Sequence, residues 1–139
     1  MAGKVLPEAF TCFTLSLDNL SELTKRFGYT VGDGVLKDFA GLVQLMGDTE
    51  GMRGYNGVGR FVVFFEECSS KKAAAMIRIL DNQVEEYNSL NPEYPIRYTA
   101  AWATTEETDT YEIRELLRLS QKKWKQMEKE KKDKTEEET

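Results

Sequence analysis

The side chains in this sequence able to do acid–base or metal chemistry are its carboxylates, because it contains no histidine. Histidine is the commonest general base near neutral pH and the commonest transition-metal ligand. Its absence excludes a serine–histidine triad and a zinc site. Cys12 and Cys68 lie far apart without metal-like spacing and read as buried or reduced thiols. What remains is Asp and Glu chemistry with a hard cation such as Mg²⁺, which takes oxygen ligands in near-octahedral geometry.

The chain of 139 residues is long enough for one domain with its own core. With 40% hydrophobic and 31% charged residues, it is expected to be neither disordered nor fibrous. A net charge of −5 argues against nucleic acid, which needs a concentrated basic face. No apolar run approaches the roughly 20 residues that span a bilayer, and no signal peptide is visible. A cytoplasmic location, with no membrane contact by this segment, is the expectation.

The elements that must position any site follow from hydrophobic period and turn chemistry. Phe10 to Leu17 alternates and is rich in β-formers, predicting a strand. Leu20, Leu23 and Phe27 recur at helical spacing, with Asp18 or Asn19 as the cap and Gly28 as the stop. A second helix is expected from Gly32-Asp33, carrying Val35, Leu36, Phe39, Leu42, Val43 and Met46 on one stripe. Met52–Tyr55 and Val58–Phe65 read as strands joined by Asn56-Gly57, the pair favoured in type I′ hairpin turns. Ser69 should cap a long helix whose inward face is Ala73, Met76, Ile77, Leu80, Val84 and Tyr87. Asn91-Pro92 ends it. Ile96–Ala103 predicts a further strand, and Asp109 with Glu112 has capping-box spacing. Ile113, Leu116, Leu117, Ser120 and Trp124 then form the stripe of a closing helix. Residues 1–9 are read as a leader, 10–127 as the domain, and 128–139 as a charged, frayed tail. The order implies an α+β fold, a central sheet with antiparallel strands flanked by helices.

The hairpin region carries a family resemblance. Gly57-Val58-Gly59-Arg60-Phe61 stands where GGDEF domains have Gly-Gly-Asp/Glu-Glu-Phe. Upstream, Ser16-Leu17-Asp18-Asn19-Leu20-Ser21 resembles the family's Asp-x-Asp-x-Phe-Lys. Leu23-Thr24-Lys25-Arg26-Phe27-Gly28-Tyr29 and Gly32-Asp33-Gly34-Val35-Leu36 match Ile-Asn-Asp-x-x-Gly-His and Gly-Asp-x-x-Leu without gaps. Tyr98–Ala103 falls on the family's Ser-x-Gly strand, and the final helix on its Ala-Asp-x-Ala-Leu-Tyr helix. The resemblance spans roughly Phe10 to Met127. The family's opening helix and Asp-x-Leu-Thr-Gly-Leu segment have no counterpart, which implies either an excised piece of a longer protein or a lost element.

The resemblance implies the nucleotidyl cyclase-like fold of bacterial diguanylate cyclases, which make cyclic di-GMP from GTP in signal transduction. It also locates what has changed. The family's metal-binding and catalytic carboxylates correspond here to Ser16, Gly59 and Arg60. A hydroxyl, no side chain and a permanent cation replace three acids, so neither Mg²⁺ nor any other metal cofactor is expected to bind.

For Arg60 three readings stand: an ion pair with Asp18 or another carboxylate, a fork that takes a phosphate in place of Mg²⁺, or a solvent-facing side chain. The guanine-facing positions correspond to Thr24 and Asp33. Asp33 could accept from a guanine edge or cap the second helix, and Thr24 offers one hydroxyl where the family has an amide. Lys25 and Arg60 are the phosphate-end candidates. Gly57 completes the nucleotide-binding set, although the turn alone explains Gly57 and Gly59. The family's Arg-x-x-Asp product-inhibition motif is absent around Asp48–Gly51.

The implied function is a catalytically inactive, degenerate regulatory, nucleotide-sensing or dimerisation module. Its expected partners are GTP or a related guanine nucleotide, bound weakly, together with neighbouring signalling domains or a second copy. The alternatives are a divergent cyclase using Asp18 and Glu22, and a scaffold without ligand.

Overall fold

The computed structural model describes residues 9–46, 52–55, 59–108 and 112–138, with no account of the side chains of 52–55 and 135–138. Four strands, β1 (Thr11–Leu17), β2 (Met52–Tyr55), β3 (Arg60–Phe65) and β4 (Tyr98–Thr104), form one antiparallel sheet in the order β2-β3-β1-β4. The helices are α1 (Leu20–Phe27), α2 (Tyr29–Leu45), α3 (Ser70–Leu90) and α4 (Ile113–Glu138). This is the α+β arrangement that the sequence predicts.

β1 lies in the middle and is buried along its whole length. Side chains alternate across a strand, and β1 divides its seven residues accordingly. Phe13, Leu15 and Leu17 join the main core with Val35, Phe39 and Val43 of α2 and Met76, Leu80 and Val84 of α3. Burying each such large side chain contributes about 1.5–3 kcal/mol. Cys12, Thr14 and Ser16 face the other way, toward α4: Cys12 clusters with Ala103 and Leu116, and Thr14 and Ser16 bond Ser120 and Trp124. The sheet is thus covered on both faces, with α4 alone among the described helices on the side of Ser16.

Several boundaries differ from the sequence expectation, each for a local reason. Asn19 stands at the cap position of α1 but makes no capping bond. Its amide instead bridges the Pro95 carbonyl at 2.7 Å and the Arg97 N–H at 3.1 Å, holding the approach to β4 against the start of α1. α2 begins at Tyr29, not at Gly32-Asp33, because Gly28 at φ +95° both ends α1 and opens α2. Asp33 is therefore a residue of the helix interior and not its cap. β4 starts two residues later than expected, since Ile96 N–H is taken by Asn88 Oδ1. Ser69 caps α3 as predicted, accepting from Lys72 N–H at 3.1 Å. The Asn56-Gly57 turn and the Asp109 cap lie outside the described residues, but β2 and β3 pair antiparallel as the hairpin requires. A capping box does form earlier, at Thr104 and Glu107 around the 3₁₀ turn Thr105–Glu107.

The largest departure is at the C-terminus. The segment expected to fray continues α4 to Glu138. It has no apolar stripe beyond Met127, and its helical contacts are polar: Lys132 with Glu128 and Gln126 with Glu130, each at i,i+4 spacing, and Lys131 reaching back onto the sheet. α4 also closes the outer edge of β4. The carbonyls of Tyr98 and Trp102 accept from Lys131 (2.7 Å) and Lys123 (3.0 Å). The Thr104 N–H donates to Glu107 at 2.8 Å, and Glu107 in turn pairs with Lys123. Edge strands left bare template further pairing, and here charged side chains take those backbone groups. No helix among the described residues is long and apolar enough to cross a membrane.

Candidate functional site

The three substituted positions come together on one rung of the sheet. Ser16 of β1 is the direct partner of Arg60 of β3, and the adjacent Leu17 N–H donates to the Gly59 carbonyl at 2.8 Å. Gly59 sits at φ +76°, a conformation most side chains avoid, and a Cβ there would lie 3.2 Å from Leu20 and 3.4 Å from the Leu17 carbonyl. No carboxylate belongs to this rung.

Trp124 of α4 occupies the space beside it. Its indole N–H donates to Ser16 Oγ at 2.8 Å, and the Arg60 guanidinium lies over its ring at 4.3 Å from the centroid. The ring is buried and Arg60 is exposed, so the arginine forms the outer cover of a cation–π stack. Arg60 is not paired with Asp18 and it makes no ion pair among the described residues. Sequence reading placed Trp124 on the inward stripe of α4. The contact with Arg60 was missed because the pitch of α4 across the sheet is not written in its period.

Asp18 lies closer to Ser16 than strand spacing of about 6.5 Å per two residues implies. β1 ends at Leu17, and beyond it the Asp18 carboxylate turns back to accept from Ser16 Oγ at 2.6 Å. Its other oxygen accepts from Thr99 Oγ1 and lies 3.9 Å from Lys131 Nζ. Both oxygens are therefore engaged within the protein. Glu22, the other member of a rearranged acidic set, is exposed and pairs with Arg26 one turn on, at 3.7 Å. No group of three or more Cys, Asp or Glu side chains that could hold a metal ion forms among the described residues.

The guanine-facing candidates sit where α1 crosses α2. Thr24 packs so closely on Gly32 that a Cβ on Gly32 would come within 2.3 Å of Thr24 Oγ1. The threonine hydroxyl thus points into the helix–helix contact. Asp33, one residue on, pairs with Lys37 at 3.0 Å. That hydrogen bond raises the Lys37 ammonium above the usual lysine range. Lys25 is exposed on α1, and Gly57 lies outside the described residues.

Buried polar groups beneath the rung are all satisfied. Ser120 bonds Thr14 at 2.8 Å and Cys12 Sγ at 3.3 Å, tying α4 to the same face of β1. Burial pushes the Cys12 thiol up to about 11, the Ser120 contact only partly opposing it. Cys68 is also raised, again mainly by burial. Neither is a nucleophile at neutral pH.

Comparison with known proteins agrees with this fold. Residues 4–134 match the family model described as "Diguanylate cyclase, GGDEF domain". Among solved structures, the active GGEEF domain of a diguanylate cyclase from Vibrio cholerae superposes with a TM-score of 0.78 at 19% identity, covering 88% of this chain and 78% of that one. An EAL/GGDEF domain protein from M. capsulatus gives a TM-score of 0.70 at 14% identity, over 88% and 80% of the two chains. A microbial GGDEF domain whose structure describes an interaction mode with cyclic di-GMP gives 0.61 at 25% identity, over 80% and 67%. No curated protein matches. With this fold and a family match over nearly its whole length, the chain belongs to the GGDEF domain family.

Proposed function

We propose that this GGDEF domain of a cyclic di-GMP signalling protein is catalytically inactive and serves as a regulatory module for neighbouring domains on the cytoplasmic side. The observation that carries the reading is the Ser16–Arg60 rung. Where the resemblance implies carboxylates holding metal, the rung presents a hydroxyl and a guanidinium, with Trp124 bonded to one and stacked on the other. Joining two GTP molecules requires neutralisation of charge developing on phosphate, and metal ions supply most of it. A unit charge at 4 Å from a like charge costs about 4 kcal/mol at an effective dielectric near 20, and a divalent ion near Arg60 would meet more. The nearest carboxylate, Asp18, is held by Ser16, Thr99 and Lys131.

A guanine nucleotide is at most a weak ligand on this reading. Thr24 is turned onto Gly32 and Asp33 onto Lys37, so a base would have to displace both contacts. The relative described with cyclic di-GMP supports a nucleotide-linked role for the family, not a site in this chain. The deciding experiment is incubation of the purified domain with GTP and Mg²⁺ or Mn²⁺, with products resolved by chromatography. No cyclic di-GMP above a buffer blank is expected; its formation would overturn the proposal.

A further inference from the structure

We infer that the Lys131 ammonium is the resident cation of this domain, delivered by its own closing helix to an oxygen-lined seat at the β1–β4 rung. This deepens the reading of a metal-free site and rests on it. Lys131 Nζ donates to the Tyr98 carbonyl at 2.7 Å and to Thr99 Oγ1 at 2.9 Å, and lies 3.9 Å from Asp18 Oδ2. A carbonyl, a hydroxyl and a carboxylate are the donors a hard cation selects, and here a tethered ammonium takes them. Thr99 is almost wholly buried and is the direct partner of Ser16. The seat is therefore on the same rung as the substituted positions.

The arrangement differs from an ordinary surface ion pair, which contributes little. The two short bonds go to neutral oxygens of the sheet, and the carboxylate adds charge complementarity at longer range. Two anchors on α4, seven residues apart, converge on one rung: Trp124 on Ser16 and Lys131 on Thr99. Seven residues are about two helical turns, so both side chains leave the same face of α4. Between and beyond them the helix has no apolar stripe. Lys131 is thus what holds the far half of α4 to the sheet, and it does so with the charge that a metal would otherwise supply.

Hydrogen exchange read by mass spectrometry on the intact domain tests this directly. Lys131→Met, nearly isosteric and neutral, is expected to lower amide protection in the part of α4 beyond Trp124 roughly tenfold, the size expected for losing hydrogen bonds to a charged group. Amides of β1 should be unchanged. Lys131→Arg, which keeps the charge, should recover most of the protection. Asp18→Asn combined with Lys131→Met should add little to Lys131→Met alone. Millimolar Mg²⁺ at constant ionic strength should leave wild-type protection and thermal midpoint unmoved.

Unchanged α4 protection in Lys131→Met, or stabilisation of the wild type by Mg²⁺, overturns the inference. If Lys131→Met also loosens β1, Lys131→Arg decides: wild-type protection supports the seat and a loose α4 refutes it. None of these readouts depends on cyclase activity, so cyclic di-GMP synthesis would remove the inactive reading while leaving this test to stand or fall separately.

Discussion

The indole N–H of Trp124 ends on the hydroxyl of Ser16, 2.8 Å away, and that hydroxyl donates its own hydrogen bond to the Asp18 carboxylate. Ser16 is thus a relay in a hydrogen-bonded chain that runs from the buried Trp124 ring to the exposed Asp18 carboxylate, joining α4, β1 and the approach to α1. Removing the hydroxyl strands an indole N–H and frees one oxygen of a carboxylate. Ser16→Ala should cost about 1–3 kcal/mol, and Trp124→Phe a similar amount. Because both break the same bond, the double variant should be less destabilised than the sum. Urea denaturation of the four proteins measures this; additive losses would show that the bond contributes nothing.

Restoring acids at Ser16, Gly59 and Arg60 together is expected to leave the domain without cyclase activity. A carboxylate at Ser16 would face the Trp124 ring and the Asp18 carboxylate. A side chain at Gly59 would be strained at φ +76°, at a cost of about 1–3 kcal/mol. Chromatography of GTP reactions checks it. Rates like those of an intact cyclase would show that the surroundings of the rung matter less than its three side chains.

GTP binding should be no tighter than about the high-micromolar range, since a few charge-assisted bonds must first offset an association cost of at least about 4 kcal/mol. It should also be indifferent to Mg²⁺. Titration calorimetry with and without the metal decides this. A low-micromolar, Mg²⁺-dependent isotherm would reveal a metal site that the Ser16–Arg60 rung does not provide.

Alkaline pH should destabilise the fold through Cys12. Its thiol is raised by burial from 9.0 to about 11 in the native state, so the folded chain holds this proton more tightly than the unfolded one. The contribution is fully present below pH 9 and is lost as pH rises from 9 through 11. Two pH units correspond to about 2–3 kcal/mol. Tyr87 and Tyr98, raised by burial and by their bonds to Asp38 and Asp81, act in the same direction at still higher pH. Cys12→Ser should flatten the early part of that loss in thermal melts between pH 8 and 11; an unchanged slope would assign it elsewhere.

The strands were legible in the sequence because β-forming composition and turn residues mark them. Phe10–Leu17 and Met52–Tyr55 were placed to within a residue, and Val58–Phe65 overlaps β3 from Arg60 on. What composition hides is partnership. Asn19 and Asp33 carry side chains suited to capping, but each finds a stronger tertiary or local partner, Pro95 with Arg97 in one case and Lys37 in the other. The end of α4 was misjudged for a related reason. A run of lysines and glutamates has no apolar period, and its contacts are polar: i,i+4 pairs along the helix and a lysine whose acceptors, Tyr98 and Thr99, lie some 30 residues earlier. The three substituted positions could be aligned from the resemblance, but the stacking of Arg60 on Trp124 depends on how two distant elements cross.

The closure of the β4 edge by Lys123, Lys131 and Glu107 has a consequence for biosynthesis. β4 is complete at Thr104, while two of its three guards lie within α4, which is made after it. At about 5–20 residues per second, the 26 residues of α4 take on the order of one to five seconds to translate. During that interval the nascent chain carries a charge-free strand whose outward carbonyls at Tyr98 and Trp102 have no lysine to meet them. Chains that stall or are cut before Ile113 keep that state permanently, and are the form of this domain expected to form aggregates and to require chaperones.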